Sequence, residues 1–205
     1  MKNVLNKNQD LKGKKVLLRV DLNVPMENGA ITEISRIEKI IPTIKLLIEK
    51  EAKIIIISHI GRPKGKVVEG MSLKPISEKL SILLKKEILF LEGVLNEKTN
   101  LEINKISNGS IIMLENIRFN EGEESNDSEF SKKISNLGDL FVNDAFSCSH
   151  RPHASVEGIT KFMPSYYGLQ IKEEINALKK ITSEIQKPVS LIIGGSKIST
   201  KIKII

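Results

Sequence analysis

Four consecutive isoleucines at residues 54–57 constrain the fold of this chain more than any other feature of its sequence. A continuous β-branched run of this length favours a strand that is covered on both faces, as the strands of parallel sheets are. Further short apolar runs that are typical of strands lie at residues 16–20, 88–91, 111–114, 140–142 and 189–193. Helical patterns lie between several of these runs. Strands that alternate with helices predict an α/β fold, a doubly wound, Rossmann-like parallel sheet with helices on both faces.

Four segments carry apolar residues at helical spacing and are predicted helices: residues 37–48, 75–86, 127–137 and 168–183. At the start of the first, Ser35 and Glu38 fit a capping box. Pro42 lies inside the same pattern and has no N–H to donate, which predicts a kink or a late start of the helix.

The last 18 residues predict a strand, a glycine turn and the first turns of a helix, which is how an α/β unit opens. We therefore expect a first domain over residues 1–167, a hinge helix over 168–187 and the incomplete start of a second α/β domain over 188–205. On this view the chain is truncated.

The composition narrows the class of protein. The net charge is +7, from 32 basic and 25 acidic residues that are spread along the 205-residue chain, which indicates a lysine-rich surface. The single cysteine, Cys148, excludes an internal disulfide and favours a reducing compartment. The first residues lack the apolar core of a secretory signal, and no apolar run approaches the ~20 residues that span a bilayer. We expect a cytoplasmic protein that does not bind membranes.

Polar and basic side chains follow the predicted strands, at the edge where parallel α/β sheets bind ligands. The chain has only five arginines, and Arg62, Arg118 and Arg151 come soon after strand ends. Because a guanidinium grips carboxylates and phosphates bidentately, this placement favours a small ligand with two or three negative charges. The alternative is that the arginines form structural ion pairs with acidic residues near the same strand ends, namely Asp21, Glu115 and Asp144.

Five motifs in this order resemble those of the phosphoglycerate kinase family. They are RVDLNVP at residues 19–25, SHIGRP at 58–63, LENIRF at 114–119, NDAF at 143–146 with HRPH at 150–153, and GGSKI at 194–198 with KI at 201–202. Each motif alone is weak, but together they cover nearly the whole chain in the family's order. The resemblance implies reversible phosphoryl transfer between 1,3-bisphosphoglycerate and ADP in glycolysis, giving 3-phosphoglycerate and ATP.

The resemblance also implies roles for individual residues. The residues implied to bind 3-phosphoglycerate are Asp21, Asn23, Arg36, His59, Gly61, Arg62, Arg118 and Arg151. Arg36 and Lys197 would meet the phosphoryl group in flight as catalytic residues, and Lys201 would contact the phosphates of the nucleotide. His150, His153, Gly194 and Gly195 would support the site.

Further expectations follow from the resemblance. Residues 1–167 would be the 3-phosphoglycerate-binding domain, and residues 188–205 would begin the nucleotide-binding domain. Mg²⁺ would accompany ADP or ATP, with its protein ligands in the remainder of that domain, and we predict no metal site within this chain. We expect a monomer whose partners are small molecules and not nucleic acid. The fragment alone would bind 3-phosphoglycerate without turnover.

Several alternatives stay open. The basic composition, with a pI of about 9.3, also fits a truncated, non-catalytic module that binds anions or RNA, although basic grooves with aromatic platforms are not evident. An unrelated α/β enzyme for phosphorylated acids is a third reading. Cys148 and His150 suggest a catalytic nucleophile and its base. The three histidines suggest a zinc site, and Asp21 could act as a general base. We rank each of these below the anion pocket.

Overall fold

Six parallel strands form the centre of the fold in this computed structural model, which describes residues 4–5, 8–27, 29–185, 187–188, 190 and 192. The strands are β1 (Lys15–Val20), β2 (Lys53–Ile57), β3 (Ile88–Leu91), β4 (Ile111–Leu114), β5 (Leu140–Asp144) and β6 (Ser165–Tyr167). They are arranged in the order β3-β4-β2-β1-β5-β6. The central strand β1 pairs with β2 on one side and with β5 on the other, so Arg19 lies in register with Ile57 and Asn143. A separate pair of two-residue strands, Met26–Glu27 and Ala30–Ile31, forms a short hairpin after β1.

Five helices accompany the sheet in the described part of the chain. They are α1 (Ser35–Glu49), α2 (Lys74–Leu84), α3 (Glu97–Lys105), α4 (Ser128–Ser135) and α5 (Leu169–Thr182), with single 3₁₀ turns at Glu69–Met71, Ile117–Phe119, Phe146–Cys148 and Gly158–Lys161. The predicted helices at 37–48, 75–86, 127–137 and 168–183 are confirmed within a few residues. Helix α3 and strand β6 are additional to the predicted elements.

The core consists of two apolar layers, one on each face of the sheet. In the first, Leu18 and Ile56 belong to the same buried cluster as Ile40 of α1 and Ile76 of α2. The neighbouring residues along the strands, such as Leu17 and Ile57, point the other way because side chains alternate across a strand. They belong to a second cluster, which also contains Ile103 of α3 and Ile134 of α4. The doubly wound parallel sheet is therefore confirmed, and residues 54–57 are buried as predicted.

The start of helix α1 differs from the sequence prediction in its N-cap and in the effect of Pro42. The predicted capping box of Ser35 and Glu38 is wrong, because Ile34 is the N-cap and makes no side-chain capping bond. The carboxylate of Glu33 instead accepts the N–H of Ser35. Pro42 lies inside the helix, and the helix is assigned without interruption from residue 35, so the predicted late start is wrong.

The chain divides into two compact units, Met1–Glu173 and Glu174–Ile205. The first unit contains the whole sheet and helices α1 to α4. The predicted strand at 189–193 and the glycine turn after it lie almost wholly outside the described residues. Among the helices that the structure describes, none combines the length and the apolar character needed to cross a bilayer.

Candidate functional site

A cleft of about 250 Å³ lies beyond the carboxyl ends of the strands. It is lined by Asp21, Asn23, Arg36, His59, Gly61, Arg62, Arg118, Ser147, Cys148 and Arg151. These residues come from five separate parts of the chain: the segments that follow β1, β2, β4 and β5, and the first turn of α1. All eight residues implied to bind 3-phosphoglycerate therefore line one cleft. Parallel strands bring them together because their carboxyl ends meet at one edge of the sheet.

The segment after β1 forms one wall of the cleft. Asp21 accepts hydrogen bonds from a guanidinium N–H of Arg36 and from the hydroxyl of Ser147 through the same carboxylate oxygen. The amide oxygen of Asn23 accepts the backbone N–H of Gly61 at 2.9 Å, which ties this wall to the segment after β2. Arg36 remains about half exposed, so its guanidinium is accessible from the cleft while it is paired with Asp21.

Arg118 is the most buried arginine that lines the cleft. Only 3% of the residue is exposed, and its NH1 donates to the carbonyl oxygen of Gly61 at 2.8 Å. Its Nε lies 3.4 Å from a carboxylate oxygen of Glu124. Burial lowers the pKa of Arg118, Glu124 opposes that shift, and the neighbouring guanidinium groups of Arg19 and Arg151 add to it. Arg118 thus presents a partly desolvated cation at the base of the cleft.

Gly61 lies in the cleft lining at a point where the chain passes close to Met71. Its φ of +63° lies in the left-handed region, and a Cβ atom at this position would stand 2.7 Å from the Sδ atom of Met71. The left-handed φ favours glycine, and a larger residue here would also have to displace the side chain of Met71. The next residue, Arg62, is exposed at the rim of the cleft.

His59 is almost fully buried, with 4% of the residue exposed, and its ring orientation is defined by its partners. An NH2 group of Arg19 lies 3.1 Å from Nδ1. Because a guanidinium can only donate, Nδ1 accepts, and the hydrogen of the neutral ring lies on Nε2. Nε2 lies 3.9 Å from the Sγ atom of Cys148. Burial lowers the pKa of His59 to about 2, and the charges of Arg19 and Arg118 act in the same direction.

This arrangement argues against a cysteine nucleophile. The predicted partner of Cys148 was His150, but the ring nearest to the thiol is that of His59. Its Nε2 carries a hydrogen and faces the sulfur, so it has no free lone pair to take the thiol proton. A general base also needs a pKa near the working pH, whereas the pKa of His59 is about 2.

A metal site is disfavoured on similar grounds. Ligand atoms of Asp21, His59 and Cys148 all lie within 4.8 Å of one another, a spacing that a metal ion could use. However, the carboxylate of Asp21 is already occupied by Arg36 and Ser147, and the surrounding guanidinium groups repel a cation. The same pairing makes Asp21 a poor general base. His150 and His153 do not belong to this group.

His150 and His153 lie outside the cleft lining. His150 is exposed, whereas His153 is buried with its Nδ1 3.7 Å from a carboxylate oxygen of Glu123. Burial lowers the pKa of His153, while Glu123 acts in the opposite direction. The remaining predicted site residues, Gly194, Gly195, Lys197 and Lys201, lie outside the described residues.

The ion-pair alternative holds for some of the acidic residues and fails for others. Asp21 pairs with Arg36, as that alternative predicted. Glu115 accepts the backbone N–H of Leu73 and the hydroxyl of Ser72 instead of an arginine. Asp144 accepts the hydroxyl of Thr43 and the backbone N–H of Ile171. These two carboxylates hold the starts of α2 and α5, so they are not engaged in neutralising the guanidinium groups of the cleft.

Two lining residues, Ser147 and Cys148, were not predicted to contact a ligand. They lie between the NDAF and HRPH motifs, and this position between two matched segments is the sequence feature that could have predicted them as cleft residues. Three further residues behind the cleft were also missed as contributors: Arg19, Glu123 and Ser155, each of them fully buried. Arg19 lies inside a strand, where a charged residue is unusual and is buried only when it is paired.

Known proteins resemble this chain over nearly all of its length. The profile of the family described as "Phosphoglycerate kinase" matches residues 6–205. A phosphoglycerate kinase of Coprothermobacter proteolyticus is 48% identical over 197 residues, which cover 96% of this chain and 50% of that protein. One from a Wolbachia of Drosophila simulans is 48% identical over 198 residues, covering 97% of this chain and 50% of its own length. The chain thus spans about half the length of these curated relatives.

Solved structures give the same result for the fold. The phosphoglycerate kinase of Pyrococcus horikoshii aligns with a TM-score of 0.89 at 31% identity, over 98% of this chain and 51% of that one. The structure from Coxiella burnetii aligns with a TM-score of 0.82 at 39% identity, over 95% of this chain and 49% of the other. With five ordered motifs, a matching profile and a shared fold, this chain belongs to the phosphoglycerate kinase family.

Proposed function

We propose that this chain supplies the 3-phosphoglycerate site of a phosphoglycerate kinase. The reaction is the reversible transfer of a phosphoryl group between 1,3-bisphosphoglycerate and ADP, which gives 3-phosphoglycerate and ATP in glycolysis. The observation that carries the proposal is the convergence of eight residues from separated motifs on a single cleft. Family membership supplies the identity of the anion.

The chemistry of the cleft supports this assignment. Four arginines and one neutral histidine line it, and two of the arginines, Arg118 and Arg151, lie close enough to lower the pKa of His59. Such a cationic cleft favours a small polyanion. Phosphoryl transfer requires little covalent chemistry from the protein, because catalysis rests on positioning and on stabilising charge at the equatorial oxygens.

The roles of individual residues are part of the proposal. Arg62, Arg118 and Arg151 bind the phosphate of 3-phosphoglycerate, and Asp21 and Asn23 bind its carboxylate and hydroxyl end. The carboxylate of Asp21 can accept a hydrogen bond from the ligand's hydroxyl group while its negative charge is balanced by Arg36. Arg36 moves from this ion pair to the phosphoryl group in flight, which its half-exposed position permits. His59 donates to a ligand oxygen through Nε2–H.

The nucleotide side of the reaction is proposed from the resemblance alone. Lys197 would act with Arg36 on the transferred phosphoryl group, and Lys201 would bind the phosphates of the nucleotide. Gly194 and Gly195 would let backbone N–H groups approach these phosphates closely. Mg²⁺ would bind together with ADP or ATP. Because the relatives are about twice as long, we propose that its protein ligands lie in the part of the family fold that this chain does not span.

Isothermal titration calorimetry with 3-phosphoglycerate tests the proposal directly. We expect saturable binding to the 205-residue chain that Arg36→Ala or Arg151→Ala weakens about tenfold or more, because each removes charged hydrogen bonds. Lys39→Ala is the matched control, since it removes one positive charge from the exposed face of the same helix. No heat of binding to the folded chain, or equal losses from Arg36→Ala and Lys39→Ala, would contradict the proposal.

The alternative of an RNA-binding module is separated by salt and by competition. RNA affinity should fall steeply with salt, because each contacted phosphate releases counterions. 3-Phosphoglycerate should compete with an anion in the cleft but not with RNA bound along a basic surface. RNA binding that 3-phosphoglycerate leaves unchanged would favour the module.

A further inference from the structure

A continuous series of buried hydrogen bonds lies behind the cleft and ends at His59. The carboxylate of Glu123 accepts the backbone N–H of Ser155 at 2.9 Å and its hydroxyl at 2.7 Å. The same hydroxyl oxygen accepts Nε–H of Arg19 at 2.9 Å. An NH2 group of Arg19 then reaches Nδ1 of His59 at 3.1 Å. Glu123, Ser155 and Arg19 are each 0% exposed, and we call these three residues the buried relay.

The direction of every hydrogen in this series is fixed by the chemistry of its ends. A carboxylate only accepts and a guanidinium only donates, so the Ser155 hydroxyl must donate to Glu123 and accept from Arg19. Nδ1 of His59 is left as an acceptor. A hydrogen on Nδ1 would point at an N–H of Arg19, so the series excludes both the Nδ1–H tautomer and the doubly protonated ring.

The relay also explains how a charged arginine is tolerated in the central strand. An unpaired buried cation carries a large desolvation cost, whereas Glu123 supplies a buried opposite charge one serine away. The carbonyl oxygen of Val20 accepts a hydrogen bond from NH1 of Arg19. The fork of Arg19 therefore has partners on several sides, and its orientation toward His59 is fixed.

The cationic groups near His59 disfavour a charge on its ring, whereas the carboxylate of Asp21, with a ligand atom within 4.8 Å of one on His59, acts in the opposite sense but is paired with Arg36. Arg19, Arg118, Arg151 and His153 each disfavour a positive charge on the ring. Cys148 lies on the Nε2 side with its Sγ atom 3.9 Å from that nitrogen, and Cys148 itself lines the cleft. A neutral ring with its hydrogen on Nε2 therefore presents a donor toward the cleft.

We propose that Arg19, held by Glu123 through Ser155, is a positioning residue that fixes His59 as a neutral Nε2–H donor to the bound anion. The proposal rests on the proposed function for the identity of that anion, 3-phosphoglycerate. As a consequence, His59 contributes a directed hydrogen bond, and the protonation state of its ring does not change across the physiological pH range. Within the described lining of the cleft, the cationic contribution to binding then comes from the arginines.

The wild-type chain provides the first test without any substitution in the relay. Long-range ¹H–¹⁵N NMR spectra distinguish the two imidazole tautomers and the protonated ring, and loss of a signal in His59→Gln assigns the resonance. We expect the Nε2–H pattern for His59, unchanged between about pH 5 and pH 8. A Nδ1–H pattern, or titration of His59 in this range, would overturn the proposal.

Variants of the relay provide the second test. Ser155→Ala and Glu123→Gln should give mixed tautomers or a titrating His59, and should weaken 3-phosphoglycerate binding about tenfold. Arg19→Lys keeps a donor near Nδ1 and should retain more of the Nε2–H pattern than Arg19→Met. Ser131→Ala is the matched control, because it removes a fully buried serine hydroxyl outside the relay. An unchanged His59 spectrum in folded Ser155→Ala and Glu123→Gln would overturn the relay.

The two proposals fail in distinguishable ways. If the wild-type chain shows the expected Nε2–H pattern but does not bind 3-phosphoglycerate, the proposed function is overturned, whereas the positioning of His59 by Arg19 is supported. If it binds 3-phosphoglycerate but His59 carries its hydrogen on Nδ1 or titrates, the relay is overturned and the function is supported.

Discussion

Gly168 lies against the carboxyl group of Asp144 so closely that a Cβ atom built on the glycine would overlap it. The carboxylate cannot easily move aside, because Asp144 accepts the hydroxyl of Thr43 at 2.5 Å and the backbone N–H of Ile171 at 3.1 Å. Strand β5, helix α1 and the first turn of α5 therefore meet at one buried acid. The φ of Gly168 is not in the left-handed region, so backbone conformation does not require a glycine here. The close approach of the Asp144 carboxyl group does.

Gly168→Ala should lower the free energy of unfolding by about 2 kcal/mol, because the added methyl group must displace Asp144 from its hydrogen bonds. Urea denaturation followed by circular dichroism measures the change. Gly70→Ala is the matched control, as nothing lies within 4 Å of the atom that it adds. Its effect should stay within about 0.5 kcal/mol. Equal effects of the two substitutions would contradict the packing argument.

Acid should destabilise the chain through His59. The pKa of this residue is lowered from 6.5 to about 2 in the folded state, so below pH 6.5 the unfolded chain binds a proton that the folded chain does not. The stability that the neutral ring contributes is fully present above pH 6.5 and is lost as the pH falls toward 2. By pH 5 the loss should reach about 2 kcal/mol.

Denaturation curves recorded across this pH range measure the slope of stability against pH. His59→Gln should remove most of the slope between pH 6.5 and pH 5, and part should remain because the pKa of His153 is also lowered. A His59→Gln variant with the wild-type slope would refute the assignment.

Glu115 should matter for stability and not for the charge of the cleft. Its carboxylate accepts the backbone N–H groups of Leu73 at 2.9 Å and Asn116 at 2.7 Å, so Glu115→Ala leaves two buried donors unsatisfied. We expect a loss of about 3 kcal/mol for Glu115→Ala and about 1 kcal/mol for Glu115→Gln, which keeps one acceptor. Thermal and urea unfolding measure both. The exposed carboxylate of Glu92 pairs with Lys74, and Glu92→Ala should cause no measurable change.

Arg62 and Arg118 should separate ligand binding from stability. Both line the cleft, but Arg62 is exposed, whereas Arg118 is buried and donates to the carbonyl of Gly61. Arg118→Ala should lower the free energy of unfolding by about 1–2 kcal/mol and weaken 3-phosphoglycerate binding. Arg62→Ala should weaken binding with stability unchanged within about 0.5 kcal/mol. If Arg62→Ala destabilised the chain as much as Arg118→Ala, the contrast in burial would have no energetic consequence.

The sequence predicts the sheet well because burial on both faces leaves a strong signal. The isoleucine run of β2 is buried throughout, and the apolar runs of β1, β4 and β5 behave in the same way. Helix α3 was missed because its apolar pattern is weak: Leu101 is 61% exposed and only Ile103 enters the core. Its start does carry a signal, a reciprocal capping box between Asn96 and Thr99. Strand β6 has only three residues, too few for a periodic pattern.

The membership of the cleft was predictable, but the contacts within it were not. Strand ends of a parallel sheet must converge, so Asp21, His59 and Arg118 could be expected to lie together. Sequence spacing carries no information on which acid neutralises which arginine, and Arg118 approaches Glu124 instead of Glu115. The link from Glu123 through Ser155 to Arg19 joins residues more than 100 positions apart, and only the folded chain reveals it.

The central position of β1, between β2 and β5, has a consequence for motion. Asp21, His59 and the segment with Arg151 follow three adjacent strands, so this part of the cleft is carried by strands whose backbone amides lie at the centre of the sheet. Such amides exchange with solvent deuterium only when the whole cooperative unit opens. The strands beneath the cleft should therefore stay in place as long as this unit is folded. Motion within the unit should come from side chains and from the loops that follow the strands.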